Sequence, residues 1–217
     1  LLEGGEGGGP LLPALPDRWP RVRKNSSGYG VDRWQATGNP AELLVGSEGT
    51  LGIVTALTLR LEPRPALEGV CLLPARPAPE AGILAREAPG TGAVACEFLG
   101  RRLLEMAGLR QDPELGPLAR DAFALFLLAF EGESAEEVEA GLEAGHALGR
   151  RLSGEGIGSR DPSAVQALWS LRHRASPLIS DRAKEGLIST QFIEDSVVPP
   201  ALLGDYLVGL DRILAEA

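Results

Sequence analysis

Gly46-Ser47-Glu48-Gly49-Thr50-Leu51-Gly52-Ile53-Val54-Thr55 limits the fold more than any other stretch of this 217-residue chain. A short apolar run, Leu43-Leu44-Val45, precedes it, and the alternation Leu57-Thr58-Leu59-Arg60-Leu61 follows. The pattern predicts a strand, a glycine-punctuated turn and a second strand. Gly46, Gly49 and Gly52 allow positive φ and leave room for a ligand to approach main-chain N–H groups. Glu48 is the one charged group in the turn. On spacing alone, the segment serves equally well as a tight connection between two buried strands.

Composition narrows the partners. The formal net charge of −9 and a pI near 4.9 disfavour nucleic acid or an anionic membrane surface as partner. The longest apolar run, Ala122 to Phe130, is fenced by Arg120-Asp121 and Glu131, so it reads as a buried strand and not a membrane span. The leading leucines lack a basic region and pass into glycines, so no secretory signal is read there and a cytoplasmic location is expected. Cys71 and Cys96 lie in apolar, strand-like runs and are expected as reduced core thiols. No metal-ligand spacing is present.

In chain order, residues 1–20 carry Gly4-Gly5-Glu6-Gly7-Gly8-Gly9 and then prolines. No Lys-Ser/Thr follows these glycines, so the tract reads as a flexible segment and not a phosphate loop. Arg23-Lys24-Asn25-Ser26-Ser27-Gly28-Tyr29-Gly30 pairs a basic entry with a turn. Glu62-Pro63-Arg64-Pro65 forbids a continuing ladder and is read as a domain boundary. Beyond it, strands are expected over 68–73, 93–99, 123–131 and 187–197. Helices are expected over 78–86, 101–107, 134–151, 163–184 with an interruption at Pro177, and 200–216. The fold class is α+β, an antiparallel sheet with helices packed on one face.

Two pairs of motifs carry a family resemblance. RKNSSGYG followed by GSEGTLGIVT resembles the FAD-linked oxidases and dehydrogenases, the vanillyl-alcohol-oxidase-like flavoproteins. Leu168-Trp169-Ser170-Leu171-Arg172 and Glu194-Asp195-Ser196-Val197-Val198-Pro199 resemble LWxLR and EDxxVP landmarks in the C-terminal cap domain of the same family. The nearest branch is that of D-lactate, glycolate and D-2-hydroxyglutarate dehydrogenases. The resemblance implies residues 21–65 as the end of an FAD-binding domain and 66–217 as an incomplete substrate-cap domain with ferredoxin-like elements. It implies FAD lined by Lys24, Asn25, Tyr29, Gly46, Ser47, Glu48, Gly49, Gly52, Ile53 and Val54. It also implies a small 2-hydroxy acid whose carboxylate is gripped by Arg172, with Ser176 one turn further on as a hydroxyl partner. The reaction implied is oxidation of a D-2-hydroxy acid to the 2-oxo acid, with hydride passing to the flavin. The alternative is a non-catalytic cap or assembly module.

Departures from the family pattern set further expectations. Its pyrophosphate-cradling loop would precede residue 1, and a His-x-Gly-x-Gly-Asn-like motif would follow residue 217. Ile193 stands where some relatives hold a substrate-binding lysine. The chain is therefore expected to be an excised piece, or a subunit completed by another polypeptide. Alone, it should bind FAD weakly or not at all. Apolar segments left bare, such as 43–45 and 57–61, should favour a homo-oligomer.

Overall fold

The structure is a computed structural model that describes residues 22, 28–182, 186 and 196–216, apart from the side chains at 175, 176, 179 and 182. The chain divides into two compact units, Leu1–Arg60 with Asp195–Val197, and Leu61–Glu194 with Val198–Ala217.

In the first unit, α1 (Val31–Thr37) ends on Gly38, whose left-handed φ of 70° lets its N–H bond the Trp34 carbonyl. Asn39 Oδ1 accepts from the Ala41 N–H and starts α2 (Ala41–Leu44). The glycine turn follows, and no ladder flanks it. Leu43 and Leu44 are helical, and residues 53–65 pair with no strand among the described residues. The expected strand–turn–strand is thus corrected to helix–turn–unpaired chain. The cause is the lack of a pairing backbone among the described residues, since alternation fixes a strand only where a partner takes its N–H and C=O groups. Leu57, Leu59 and Leu61 are 65%, 69% and 85% exposed, the bare apolar run that the sequence led us to expect.

The second unit is a four-stranded antiparallel sheet, in order β2-β3-β1-β4. β1 (Leu67–Ala75) leads through α3 (Ala78–Glu87) to β2 (Ala95–Gly100). β3 (Ala124–Gly132) leads through α6 (Ala135–Leu152) to β4 (Ile157–Ser159). Two interleaved strand–helix–strand units give the ferredoxin-like arrangement. Between β2 and β3 lie α4 (Arg101–Met106) and α5 (Gly116–Ala119). After β4 come α7 (Pro162–His173), α8 (Ala175–Arg182) and α9 (Leu203–Glu216), the last entered through a 3-10 turn at Pro200–Leu202.

Helices cover both faces of the sheet, which corrects the expectation of one. Val70 and Leu72 of β1 and Leu125, Leu127 and Ala129 of β3 face α4, α5 and α7. Cys71 and Leu73, with Phe126, Leu128 and Phe130, face α3 and α6. The central strands are accordingly continuous apolar runs without polar alternation, the pattern of a strand buried on both sides. On the second face, α6 approaches through Gly141, Gly145 and Gly149. A Cβ on Gly141 would stand 2.5 Å from Phe130 Cδ1, and one on Gly149 would stand 2.8 Å from Leu73 Cδ2. The side chain of Ser134 caps this helix by accepting from the Glu137 N–H.

The helix expected over 163–184 breaks at Arg174 and not at Pro177. Pro177 lies in the first turn of α8, where its missing N–H costs no helical bond, so the break moves upstream. β4 was not expected from the sequence. Most of the strand expected at 187–197 lies outside the described residues, and Ser196–Pro199 has no regular structure.

Candidate functional site

The glycine turn keeps its unusual backbone. Gly46 and Gly49 have φ of 79° and 77°, and Glu48 between them is a non-glycine residue at φ 50°. Gly52 has no such φ, but the space where a Cβ would stand is open at both Gly49 and Gly52. Ser47 is buried, and its carbonyl accepts from the Thr50 N–H at 2.9 Å and the Thr50 hydroxyl at 2.6 Å. Thr50 Oγ1 also lies 2.9 Å from the Tyr29 hydroxyl, so Tyr29 is tied to the turn. Ile53 and Val54 project outward, at 91% and 57% exposure. Lys24 and Asn25 lie outside the described residues. The result is a hydrogen-bonded turn with open space beside its main chain at Gly49 and Gly52.

In the second unit, α7 carries the LWxLR motif. Asp161 starts it, accepting from the Ser163 and Ala164 N–H groups at 3.0 and 3.1 Å, with Pro162 at the first position. The Ser163 hydroxyl, and then the Ala164 N–H, hold the Asp161 carboxyl below the usual range. Leu168 and Leu171 are buried against the sheet. Trp169 Nε1 donates to Glu68 Oε1 on β1 at 2.6 Å, and Arg172 Nε donates to Glu97 Oε2 on β2 at 3.3 Å. Arg172 keeps about half of its side chain, 52%, exposed. Glu97 has the same parity on β2 as Ala95 and Leu99, both of which pack on the α7 side of the sheet. Ser176 lies within α8, but its side chain is outside the described set, as are Ile193, Glu194 and Asp195. His173 is exposed beside Arg172, and His146 is half-buried on α6.

A cavity of about 290 Å³ opens between the turn at 112–115, β4 and a different stripe of α7. Asp112, Glu114, Ser159, Leu168 and Arg174 line it, and Arg172 does not. The N–H groups of Leu115 and Glu114, and the charge of Arg174, hold the Asp112 carboxyl below its ordinary value. The expectation of two core thiols holds for one. Cys71 is buried, and its thiol is pushed up to about 12 by that burial, whereas Cys96 is exposed on β2. Both pair in register with Leu128 of the strand between them. They therefore stand two strand spacings apart, roughly 10 Å, beyond the reach of a disulfide.

Residues 78–217 match the family model "FAD linked oxidases, C-terminal domain", and the chain belongs to that family. Among curated proteins it is similar to the mitochondrial D-2-hydroxyglutarate dehydrogenase of Rattus norvegicus. The two are 28% identical over 196 residues, covering 87% of this chain and 33% of the relative. It is also similar to the mitochondrial D-lactate dehydrogenase [cytochrome] of Arabidopsis thaliana, 41% identical over 56 residues, covering 25% of this chain and 8% of the relative. The chain thus spans about a third of the length of the rat protein. Family membership and these relatives place the chain in the FAD-linked oxidase family, on the branch of the D-lactate and D-2-hydroxyglutarate dehydrogenases.

Proposed function

We propose that this chain forms part of an enzyme that oxidises a D-2-hydroxy acid, of the D-lactate or D-2-hydroxyglutarate kind, to the 2-oxo acid. Bound FAD would supply the hydride acceptor. This chain's residues bind and orient. The turn at 46–52 contributes one wall of the flavin site through its uncovered backbone at Gly49 and Gly52. Arg172 holds the substrate carboxylate, and Ser176 is the hydroxyl partner proposed with it. A guanidinium binds a carboxylate in a bidentate fork, which fixes both position and orientation before hydride loss. The observation that carries this reading is Arg172 itself. It lies in an LWxLR segment inside the matched domain, half-exposed on a helix whose neighbouring leucines are buried.

The test uses the full-length flavoprotein that carries this chain. Anaerobic addition of D-lactate or D-2-hydroxyglutarate should bleach the flavin absorbance, and the L-enantiomers should not. Arg172→Lys keeps the charge but loses the fork, and should weaken substrate binding by about 1–3 kcal/mol. Unchanged KM for the active D-acid in Arg172→Lys, or no bleaching by either D-acid, overturns the reading.

A further inference from the structure

We infer that Glu97 is a positioning residue for Arg172, holding the guanidinium by its Nε edge so that its terminal fork is presented to the substrate carboxylate. The inference rests on the proposed role of Arg172 and adds a residue to it. A guanidinium offers two bidentate edges, one through Nε and one Nη, the other through both Nη atoms. Glu97 Oε2 accepts from Nε, and this is the hydrogen bond that the Arg172 guanidinium makes among the described residues. The end-on edge is therefore left for a second carboxylate.

The placement of Glu97 suits that task. It stands on β2, an edge strand held to β3, with Leu127 as its partner in register. Its neighbours of the same parity, Ala95 and Leu99, pack in the core shared with α7. The carboxylate therefore comes from the rigid sheet, and the guanidinium from a helix docked on it. A side chain with four rotatable bonds would otherwise sample many rotamers, and each substrate would have to select one of them. Glu97 is 35% exposed and Arg172 is 52% exposed, so the pair is wet and adds little to folding. The contact orders a flexible cation and leaves half of it open.

The experiment measures steady-state kinetics of the FAD-loaded, full-length enzyme with D-lactate and D-2-hydroxyglutarate as probes. Glu97→Ala should raise KM about tenfold, with kcat changed by less than about twofold, since loss of orientation weakens capture of the carboxylate. Glu97→Gln keeps an acceptor for Nε and should stay within about threefold of the parent. In an Arg172→Met background, Glu97→Ala should add nothing, because its effect passes through the missing guanidinium. An unchanged thermal midpoint in Glu97→Ala would separate the loss from unfolding. If Arg172→Met raises KM while Glu97→Ala does not, positioning by Glu97 is refuted and the reading of Arg172 stands. An equal loss on Glu97→Ala with or without Arg172, or a Gln variant as impaired as Ala, also refutes it. An Arg172→Met enzyme with normal KM, or a parent enzyme whose flavin neither acid reduces, overturns both.

Discussion

Alanine placed at Gly141 and at Gly145 should have opposite effects on stability, although the two sites are one turn apart on the same helix. Either substitution gains about 1 kcal/mol in helix propensity. They differ in what the new methyl group meets. At Gly145 the nearest atoms are Phe130 Cζ at 3.2 Å, Phe130 Cε2 at 3.4 Å and Cys71 Sγ at 3.5 Å, contacts that a shift of a few tenths of an ångström relieves. At Gly141 the methyl lies 2.5 Å from Phe130 Cδ1, 2.9 Å from Cγ and 3.1 Å from Cβ. These atoms are the root of the ring. Phe130 is 2% exposed, so the ring has no solvent side to swing into. Overpacking of this kind costs about 1–3 kcal/mol. Gly145→Ala should therefore be neutral or up to about 1 kcal/mol more stable, and Gly141→Ala up to about 2 kcal/mol less stable. At roughly 2–4 °C per kcal/mol for a chain of this size, a contrast of about 2 kcal/mol corresponds to roughly 4–8 °C between the two thermal midpoints. Thermal unfolding of both variants, followed by far-ultraviolet circular dichroism, reads it directly. A Gly141→Ala midpoint equal to or above that of Gly145→Ala would show that α6 does not depend on this glycine stripe for its approach to β3.

Two further predictions concern the buried thiol and the flavin. Cys71 is a neutral thiol raised to about 12 in the fold, against an ordinary value of 9.0. Above pH 9 the unfolded chain loses this proton while the folded one keeps it, so stability falls as pH rises from about 9 toward 12. Cys71→Ala should flatten that slope in urea titrations at successive pH values, and a slope unchanged by the substitution would refute the assignment. The 217-residue chain purified alone should bind FAD only in the millimolar range, because several charged hydrogen bonds of roughly 1.5–3 kcal/mol each would be missing from the pyrophosphate side. Absorbance and FAD titration check this, and a yellow, stoichiometric monomer would contradict it.

Most of the second unit was legible because its elements carry strong local signals. The runs that became β1 and β3 are long, apolar and bounded by charges or turn residues. The Ser134 cap and the acidic first turn of α6 marked a helix start. The same runs also held the evidence for a sheet covered on both faces, since a strand with one wet face alternates and these do not. The glycine stripe on α6 is silent in the sequence beside the apolar Leu142 and Leu148, because a stripe of missing side chains carries no hydrophobic signal. β4 was missed because Ile157-Gly158-Ser159 is too short to show a period. The Leu57–Leu61 alternation predicts a strand, but pairing depends on a second backbone and not on the alternation itself. The turn at 46–52 was legible as a glycine turn. Its left-handed Glu48 was not, because nothing in a glutamate codes for positive φ.

The LWxLR segment joins fold to function through helical geometry. Residues three apart lie on one stripe of a helix, and one residue along turns the direction by about 100°. Leu168 and Leu171 are such a pair, and both are buried in the sheet. Trp169 and Arg172 are the next pair, each held by a carboxylate from a different strand, Glu68 on β1 and Glu97 on β2. β3 lies between those strands, so the two carboxylates grip α7 from either side of the sheet's centre. One stripe fixes the depth of the helix and the other fixes its rotation. A slip by a single residue would move both leucines out of the core and both donors off their acceptors. Such a helix can carry an exposed arginine at a constant position without enclosing it, which the proposed capture of a small anion from solvent requires.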